Sequence, residues 1–311
     1  MSFALSVKEE ICRERIEKGA LALAECFGIL LYCHTFAPDG IRIITANADF
    51  CRRLPKLWKK AFNLSFDVLP PEDAEGKRTF RVTEPEKLAQ IFDAFGYDAQ
   101  TSFACHVNYA LLEEEDTRAA FLRGAFLAGG SVTDPEKRYH LELATAHQSV
   151  ARETYSILLD LGFSPRQSSR GGCALLYFKQ SDAISDLLTV IGAPVTAMNV
   201  MTAKVEKEMR NTVTRQINCD SANADKTVTA AQEQLAAIRR FSAASGGLDA
   251  LPEPLKEAAL LRITNPAASL ADLARLSYPP LSKSCLSHRL KKIMALAPPG
   301  EGESGEEDPA L

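Results

Sequence analysis

The densest group of side chains able to do chemistry lies near the C-terminal end. Ser282, Lys283, Ser284, Ser287, His288, Arg289, Lys291 and Lys292 fall within eleven residues that contain no acid. Interleaved with them, Leu286, Leu290 and Ile293 recur at i, i+4 and i+7, the spacing of one helical face. The cations and hydroxyls therefore occupy the other faces. Such a helix can neutralise phosphates with its cations and reach base edges with the shorter polar groups near its N-terminus. The same composition also fits a small helical bundle whose basic face is merely solvated. A second group, Arg215, Asn218, Asn223 and Lys226, offers amides and cations suited to phosphate or base contacts. It fits equally a linker helix that Asn218 and Asp220 end, capping the next helix.

Catalytic and metal chemistry find less support. The five histidines, at 34, 106, 140, 147 and 288, show no metal-ligand spacing, and the eight cysteines are scattered without a CxxC pair. Most of those thiols sit among apolar neighbours, where reduced Cys behaves as a small core residue, so a cytoplasmic chain without a disulfide or zinc framework is expected. No cofactor is expected.

The elements that must position these residues follow from composition and periodicity. At 311 residues and 46% hydrophobic content, the chain is long enough for two or three domains with a proper core. Its net charge of −4 excludes a uniformly basic nucleic-acid binder and confines any such function to local patches. From Arg215 to Ala297 there are 11 Lys/Arg against 7 Asp/Glu, whereas Pro298–Leu311 holds five acids and no base. That tail has almost nothing to bury and is expected to be disordered. No apolar run reaches the ~20 residues needed to span a bilayer.

Ser6–Lys18 has the pattern of an amphipathic helix and Leu21–Cys33 that of a buried one. A strand at Ile41–Thr45, a basic-faced helix, strands near Ser65–Leu69 and Arg78–Val82 and a helix from Glu84 to Phe95 follow. The order then repeats: helix Thr117–Ala128, strand His140–Ala144, helix Ser149–Leu161, strands Ser164–Gln167 and Cys173–Phe178, helix Ser181–Ile191. An internal duplication of an αββαββα unit is the economical explanation. Gly28 and Gly124 are then equivalent, and glycines inside helices, where they cost roughly 1 kcal/mol each, imply two helices in close approach. Beyond Ile191, helices are expected at Val205–Asn218 and Asp225–Phe241, a linker at Ser242–Gly247, and short helices at Leu255–Asn265, Ser269–Ser277 and Ser282–Ala295, separated by Asn-Pro and Pro-Pro breaks.

Phe121–Val132, with its small residues and Gly-Gly end, resembles the signature helix of the LAGLIDADG homing endonucleases. Where that motif carries a metal-binding acid, this chain has Gly129, and Cys33 in the first copy. Glycine offers no ligand, and a thiol is too soft for Mg²⁺. Three blocks extend the resemblance to nearly the whole chain. They are Phe121–Val132 with Asp134-Pro-Glu136 and Tyr139-His-Leu-Glu142; Asn218-Cys-Asp-Ser-Ala-Asn223 with Lys226 and Thr227; and Ala268–Ala274 with Pro279–Ser284 and His288-Arg-Leu290. Together they resemble the WhiA family of bacterial sporulation and cell-division regulators, with Cys285 departing from the family's usual Gly and Cys33-His34 from its Cys-Gly.

The resemblance implies an α+β fold: a duplicated LAGLIDADG-like domain over residues 1–200 (halves about 1–97 and 115–195), a helical linker over 201–245, an all-α helix-turn-helix domain over 246–297 and the acidic tail. It implies a non-enzymatic, nucleoid-associated transcription regulator of sporulation, cell division and chromosome segregation. The expected partners are double-stranded DNA and another transcription regulator or an RNA polymerase sigma factor, with no membrane. The rivals are a protein–protein adaptor in cell division and a metal-dependent DNA endonuclease.

Overall fold

The computed structural model describes residues 2–16, 19–71, 76–97 and 104–299. Residues up to Glu208 form one compact unit and those from Met209 onward a second. In the first, α1 (Phe3–Arg13) buries Val7 and Ile11. It is followed by α2 (Gly19–Tyr32), β1 (Thr35–Ala37), β2 (Gly40–Thr45), α3 (Ala48–Phe62), β3 (Arg78–Val82) and α4 (Pro85–Ala94). The second copy runs α5 (Glu115–Gly129), β4 (Gly130–Val132), β5 (Leu141–Thr145), α6 (Gln148–Asp160), β6 (Arg166–Arg170), β7 (Cys173–Phe178) and α7 (Ser181–Val190). The αββαββα order is complete in this copy. In the first, the strand expected at Ser65–Leu69 is reduced to a single bridge, Val68 to Arg81.

Both sheets are antiparallel, ordered β1-β2-β3 and β4-β5-β7-β6. In each, inward residues such as Ile41, Ile43, Leu141 and Leu143 alternate with outward ones, the period-2 pattern of a one-faced sheet. The strand expected at Ser164–Gln167 starts and ends later, because the turn is made by Gly171 and Gly172, both at positive φ.

Packed together, α2 and α5 form the centre of the unit. A Cβ on Gly28 would lie 2.0 Å from the Phe121 carbonyl oxygen, and one on Gly124 would lie 2.0 Å from that of Glu25. Backbone therefore rests on backbone, as the two glycines imply. The repeat also shows in its turns: the Asn47 amide donates to Thr45 Oγ1 (3.1 Å) and the His147 amide to Thr145 Oγ1 (3.2 Å).

Polar contacts secure the edges. Arg53 of α3 holds the buried Glu25 carboxylate in a two-point grip, Nε to Oε1 and Nη2 to Oε2, both 2.7 Å. Arg123 of α5 stands 3.7 Å from the same group. Glu10 of α1 accepts the backbone amides of Val195 (2.6 Å) and Thr196 (2.9 Å), and so caps the start of α8 (Pro194–Ser245).

That helix corrects an expectation. The sequence suggested two helices with a break near Asn218 and Asp220 and a linker from Ser242; one helix runs through to Ser245 instead. Nothing between Val205 and Phe241 is Gly or Pro, and amide and carboxylate side chains favour a cap without enforcing one. Gly246 and Gly247, at φ +73° and +138°, end it. The second unit continues with α9 (Glu253–Thr264), α10 (Leu270–Leu276) and α11 (Lys283–Leu296). Their shared core holds Leu255, Ala258, Leu273, Leu286, Leu290 and Ile293, with Ile238 and Phe241 from the end of α8. Beyond Pro299 the acidic tail lies outside the described residues.

Candidate nucleic-acid interface

Two helix caps set up the C-terminal unit. Ser269 accepts the Asp272 amide (3.2 Å) and donates to the Asp272 carboxylate (2.6 Å), the reciprocal start of α10. Ser282 accepts the Cys285 amide (3.2 Å) at the start of α11. Between them, the Leu281 amide donates to Ala274 O (2.9 Å), and the buried Ser277 hydroxyl lies 3.0 Å from Glu257 Oε1. This pins the turn between the two helices.

With Leu286, Leu290 and Ile293 buried, α11 presents Lys283, Ser284, His288, Lys291 and Lys292 to solvent, with Ser287 half-buried beside them. Ser282 is exposed at the cap, its hydroxyl 3.0 Å from that of Ser284. Arg289 is turned away. It points toward α9, donating to Glu257 Oε2 (3.1 Å) and Pro254 O (3.3 Å), so its guanidinium braces the bundle. Cys285 is exposed on the flank of the helix.

One residue of this unit escaped sequence reasoning. Arg262, almost fully buried, donates through Nε to Gln234 Oε1 (2.9 Å) and through Nη1 to Ala268 O (2.6 Å). Burial holds its pKa below the usual arginine value. Among the described residues no carboxylate pairs with it, and neutral oxygens of α8 and the α9–α10 turn accept its hydrogen bonds.

Arg215, Asn218, Asn223 and Lys226 are all exposed on α8. With 3.6 residues per turn, the first two and Lys226 share one side, with Asn223 at its edge, where Nδ2 lies 3.6 Å from Cys219 Sγ. Among the described residues, no hydrogen bond or ion pair joins them to α11.

The first unit shows what became of the acid positions. A Cβ on Gly129 would lie 2.4 Å from Ala144 O, and the Tyr32 ring already stands 2.9 Å from that point. Any side chain is shut out there. The thiol of Cys33 lies 3.2 Å from the carbonyl oxygens of both Leu30 and Thr35, and desolvation pushes it up to about 12. Asp134 accepts the Glu136 amide (2.9 Å) within its own turn. Among the described residues, no group of three or more His, Cys, Asp or Glu is placed to hold a metal ion.

On the outer sheet faces, Arg42 and Arg81 are exposed cross-strand neighbours on β2 and β3, strands that carry no acid. Burial pushes His34 below the usual imidazole range, with Arg42 and Lys77 adding to it. The second sheet is compensated instead: Glu142 meets His140 Nε2 (3.1 Å) and Arg170 Nη2 (3.0 Å). Burial pushes that carboxyl up, and the two hydrogen bonds outweigh it, leaving it below its ordinary value.

Comparison with known proteins completes the assignment. The model of the WhiA LAGLIDADG-like domain matches residues 118–210, and that of the WhiA C-terminal HTH domain matches residues 213–297. A probable cell division protein WhiA of Clostridium botulinum is 32% identical over 309 residues, covering 96% of this chain and 98% of that protein. The chain belongs to the WhiA family. A Clostridium perfringens WhiA is 33% identical over the same span. The full-length DUF199/WhiA crystal structure from Thermatoga maritima matches the fold with a TM-score of 0.59 at 23% identity, covering 95% of this chain and 98% of that one. The WhiA helix-turn-helix match begins at Thr212's neighbour Val213, so it includes the α8 stretch carrying Arg215, Asn218, Asn223 and Lys226. Among the described residues, no helix is long and apolar enough to cross a membrane.

Proposed function

We propose that this WhiA protein is a sequence-specific DNA-binding transcription regulator of sporulation, cell division and chromosome segregation, acting at the nucleoid without nuclease activity. The observation that carries this is the outer face of α11. Lys283, Ser284, Ser287, His288, Lys291 and Lys292 line it without an acid, so the face can enter the major groove with cations on phosphates and hydroxyls toward base edges. Arg215, Asn218, Asn223 and Lys226 would add contacts along α8, and Ser282 would add one at the cap. Arg289 would act by holding α11 against α9.

The duplicated domain, residues 1–200 in this scheme, serves as a scaffold, with 201–245 as its helical connection to the helix-turn-helix of 246–297. The filled Gly129 site and the desolvated Cys33 thiol support a non-enzymatic role. A further transcription regulator or a sigma factor is the protein partner this reading expects.

Fluorescence anisotropy of the full chain on duplex promoter fragments tests it. Three phosphate-contacting lysines give a salt slope near −3, a loss on the order of 40-fold in affinity between 50 and 200 mM salt. Absence of duplex binding at 50 mM salt would refute the proposal.

A further inference from the structure

The solvent face of α11 carries positive charge that no described acid balances. Lys283, Lys291 and Lys292 are exposed, and among the described residues none of them has an ion-pair partner. Glu257 of α9 is taken up by Arg289 (3.1 Å) and the Ser277 hydroxyl (3.0 Å). Past α11 the composition reverses. Glu301, Glu303, Glu306, Glu307 and Asp308 fall within eight residues that hold no Lys or Arg. They lie beyond the match to the WhiA helix-turn-helix model, which ends at residue 297. Arg240 of α8 donates through Nε to Pro298 O (3.0 Å), which fixes the point where the acidic segment leaves the helical core.

We propose that the segment Glu301–Asp308 docks along the outer face of α11 and competes there with DNA phosphates. The competition rests on the DNA-binding reading; the docking does not. Three observations favour this occupant. First, the charges are complementary, five carboxylates against three lysines. Second, the lengths match. Lys283 and Lys292 stand roughly 14 Å apart along a helix, and Glu301 and Glu306 stand roughly 16 Å apart in an extended chain. A segment running back along α11 therefore sets Glu301 and Glu303 beside Lys291 and Lys292. Its Glu306-Glu307-Asp308 group then meets Lys283 and the N-terminal turn of the helix, where negative charge is favoured. Third, the tether is short. Glu301 follows Lys292 by nine positions, so loop closure costs little and the local concentration is on the order of millimolar. Exposed ion pairs are individually weak, but three multiply to about tenfold in favour of the docked state. Duplex DNA must displace the segment, so every sequence is bound that much more weakly.

Two measurements on the full chain test this. In the first, Ser304→Cys is combined with Cys219→Ser, and disulfide formation with Cys285 under mild oxidation is followed by peptide mass mapping without DNA. Cys285 is exposed, on the same flank as Lys292 two turns away, and Ser304 lies mid-segment without being one of the acids. The comparison protein adds Glu301→Gln, Glu303→Gln, Glu306→Gln, Glu307→Gln and Asp308→Asn. At low salt the disulfide is expected to form about fivefold faster in the protein that keeps its acids. Equal rates mean that tethering alone brings the thiols together, and they overturn the docking. In the second, fluorescence anisotropy on one duplex compares wild type with the five-fold neutral variant. The variant is expected to bind about tenfold more tightly at 50 mM salt, with the gap falling below about threefold at 200 mM as screening grows. Equal affinities at 50 mM salt overturn the competition. Absence of duplex binding by both proteins ends the DNA-binding reading and the competition with it, while the cross-linking rates still decide the docking.

Discussion

Gly28 and Gly124 occupy each other's helix: the space that a methyl group on either would need is filled by the main chain opposite, 2.0 Å away in both directions. Because backbone cannot rotate aside as a side chain can, Gly28→Ala or Gly124→Ala must push α2 and α5 apart. Each is expected to cost about 3 kcal/mol by overpacking, a fall of roughly 10 °C in Tm. Gly19→Ala, with no heavy atom within 4 Å of the new methyl, is the control and should be neutral or slightly stabilising. Differential scanning fluorimetry separates them, and equal melting of all three variants would refute the packing account.

Restoring the lost acid should not restore cleavage. Gly129→Asp puts its Cβ against Ala144 O and the Tyr32 ring, and Cys33 still leaves the other position without an oxygen ligand. The expected variant melts lower than wild type and leaves supercoiled plasmid intact in Mg²⁺ or Mn²⁺. Nicking by this variant, absent in wild type, would show that the seam can still form a metal site.

Lys8 makes one contribution to the pH dependence of the first unit, opposite in sign to that of the buried thiols of Cys12, Cys33 and Cys105, which burial pushes up. Its ammonium donates to Leu127 O (3.0 Å) and sits over the Phe126 ring, and burial pushes its pKa down from 10.5 to about 8. The unfolded chain therefore binds the extra proton between those values, so this group makes folding more favourable as pH rises from 8 to 10.5. The interval corresponds to on the order of 3 kcal/mol. Lys8→Met lacks the rise. Urea unfolding at pH 7.5 and pH 10 should show wild type gaining on the variant. Parallel pH profiles would contradict it.

Lysines and arginine on α11 should separate by role. Lys291→Gln with Lys292→Gln is expected to flatten the salt slope of duplex binding by about 2 while weakening all sequences alike. Arg289→Gln breaks the partly exposed pair with Glu257 and should lower stability by up to about 1 kcal/mol with the salt slope kept. A flattened slope in Arg289→Gln would instead place that guanidinium on a phosphate.

Arg262→Met leaves Gln234 Oε1 and Ala268 O without their donor. The expected loss is about 2 kcal/mol, the cost of buried acceptors left unpaired, read as a lower denaturation midpoint for the full chain. No change would mean that the guanidinium is held at no net gain.

Periodicity and glycine made much of this legible in advance. The Gly28–Gly124 seam, the repeated order of elements and the α11 face were all written in spacing. The structure adds a further mark of the duplication, since Thr45 and Thr145 each accept the amide two residues on. Two kinds of feature stayed hidden. Helix ends near Asn218 and Asp220 could not be read locally, because a side chain able to cap does so only where the chain leaves the helix. Buried charge was also invisible in outline: Arg53 and Arg262 look like surface cations in sequence. Glu25, the lone charge within Gly19–Tyr32, was the available signal that an internal cation must exist to meet it.

The cap that Glu10 places on α8 ties the domain's first helix to its last across 185 positions. During synthesis, the carboxylate emerges early and waits for amides made near the end of the domain. Closure is therefore a late, long-range event of the slow kind, and it doubles as a check on completeness. A chain interrupted before Val195 would leave the Glu10 carboxylate without its two amide donors, with α1 still held by Val7, Ile11 and Lys8. A product lacking its first dozen residues begins α8 with two bare amides.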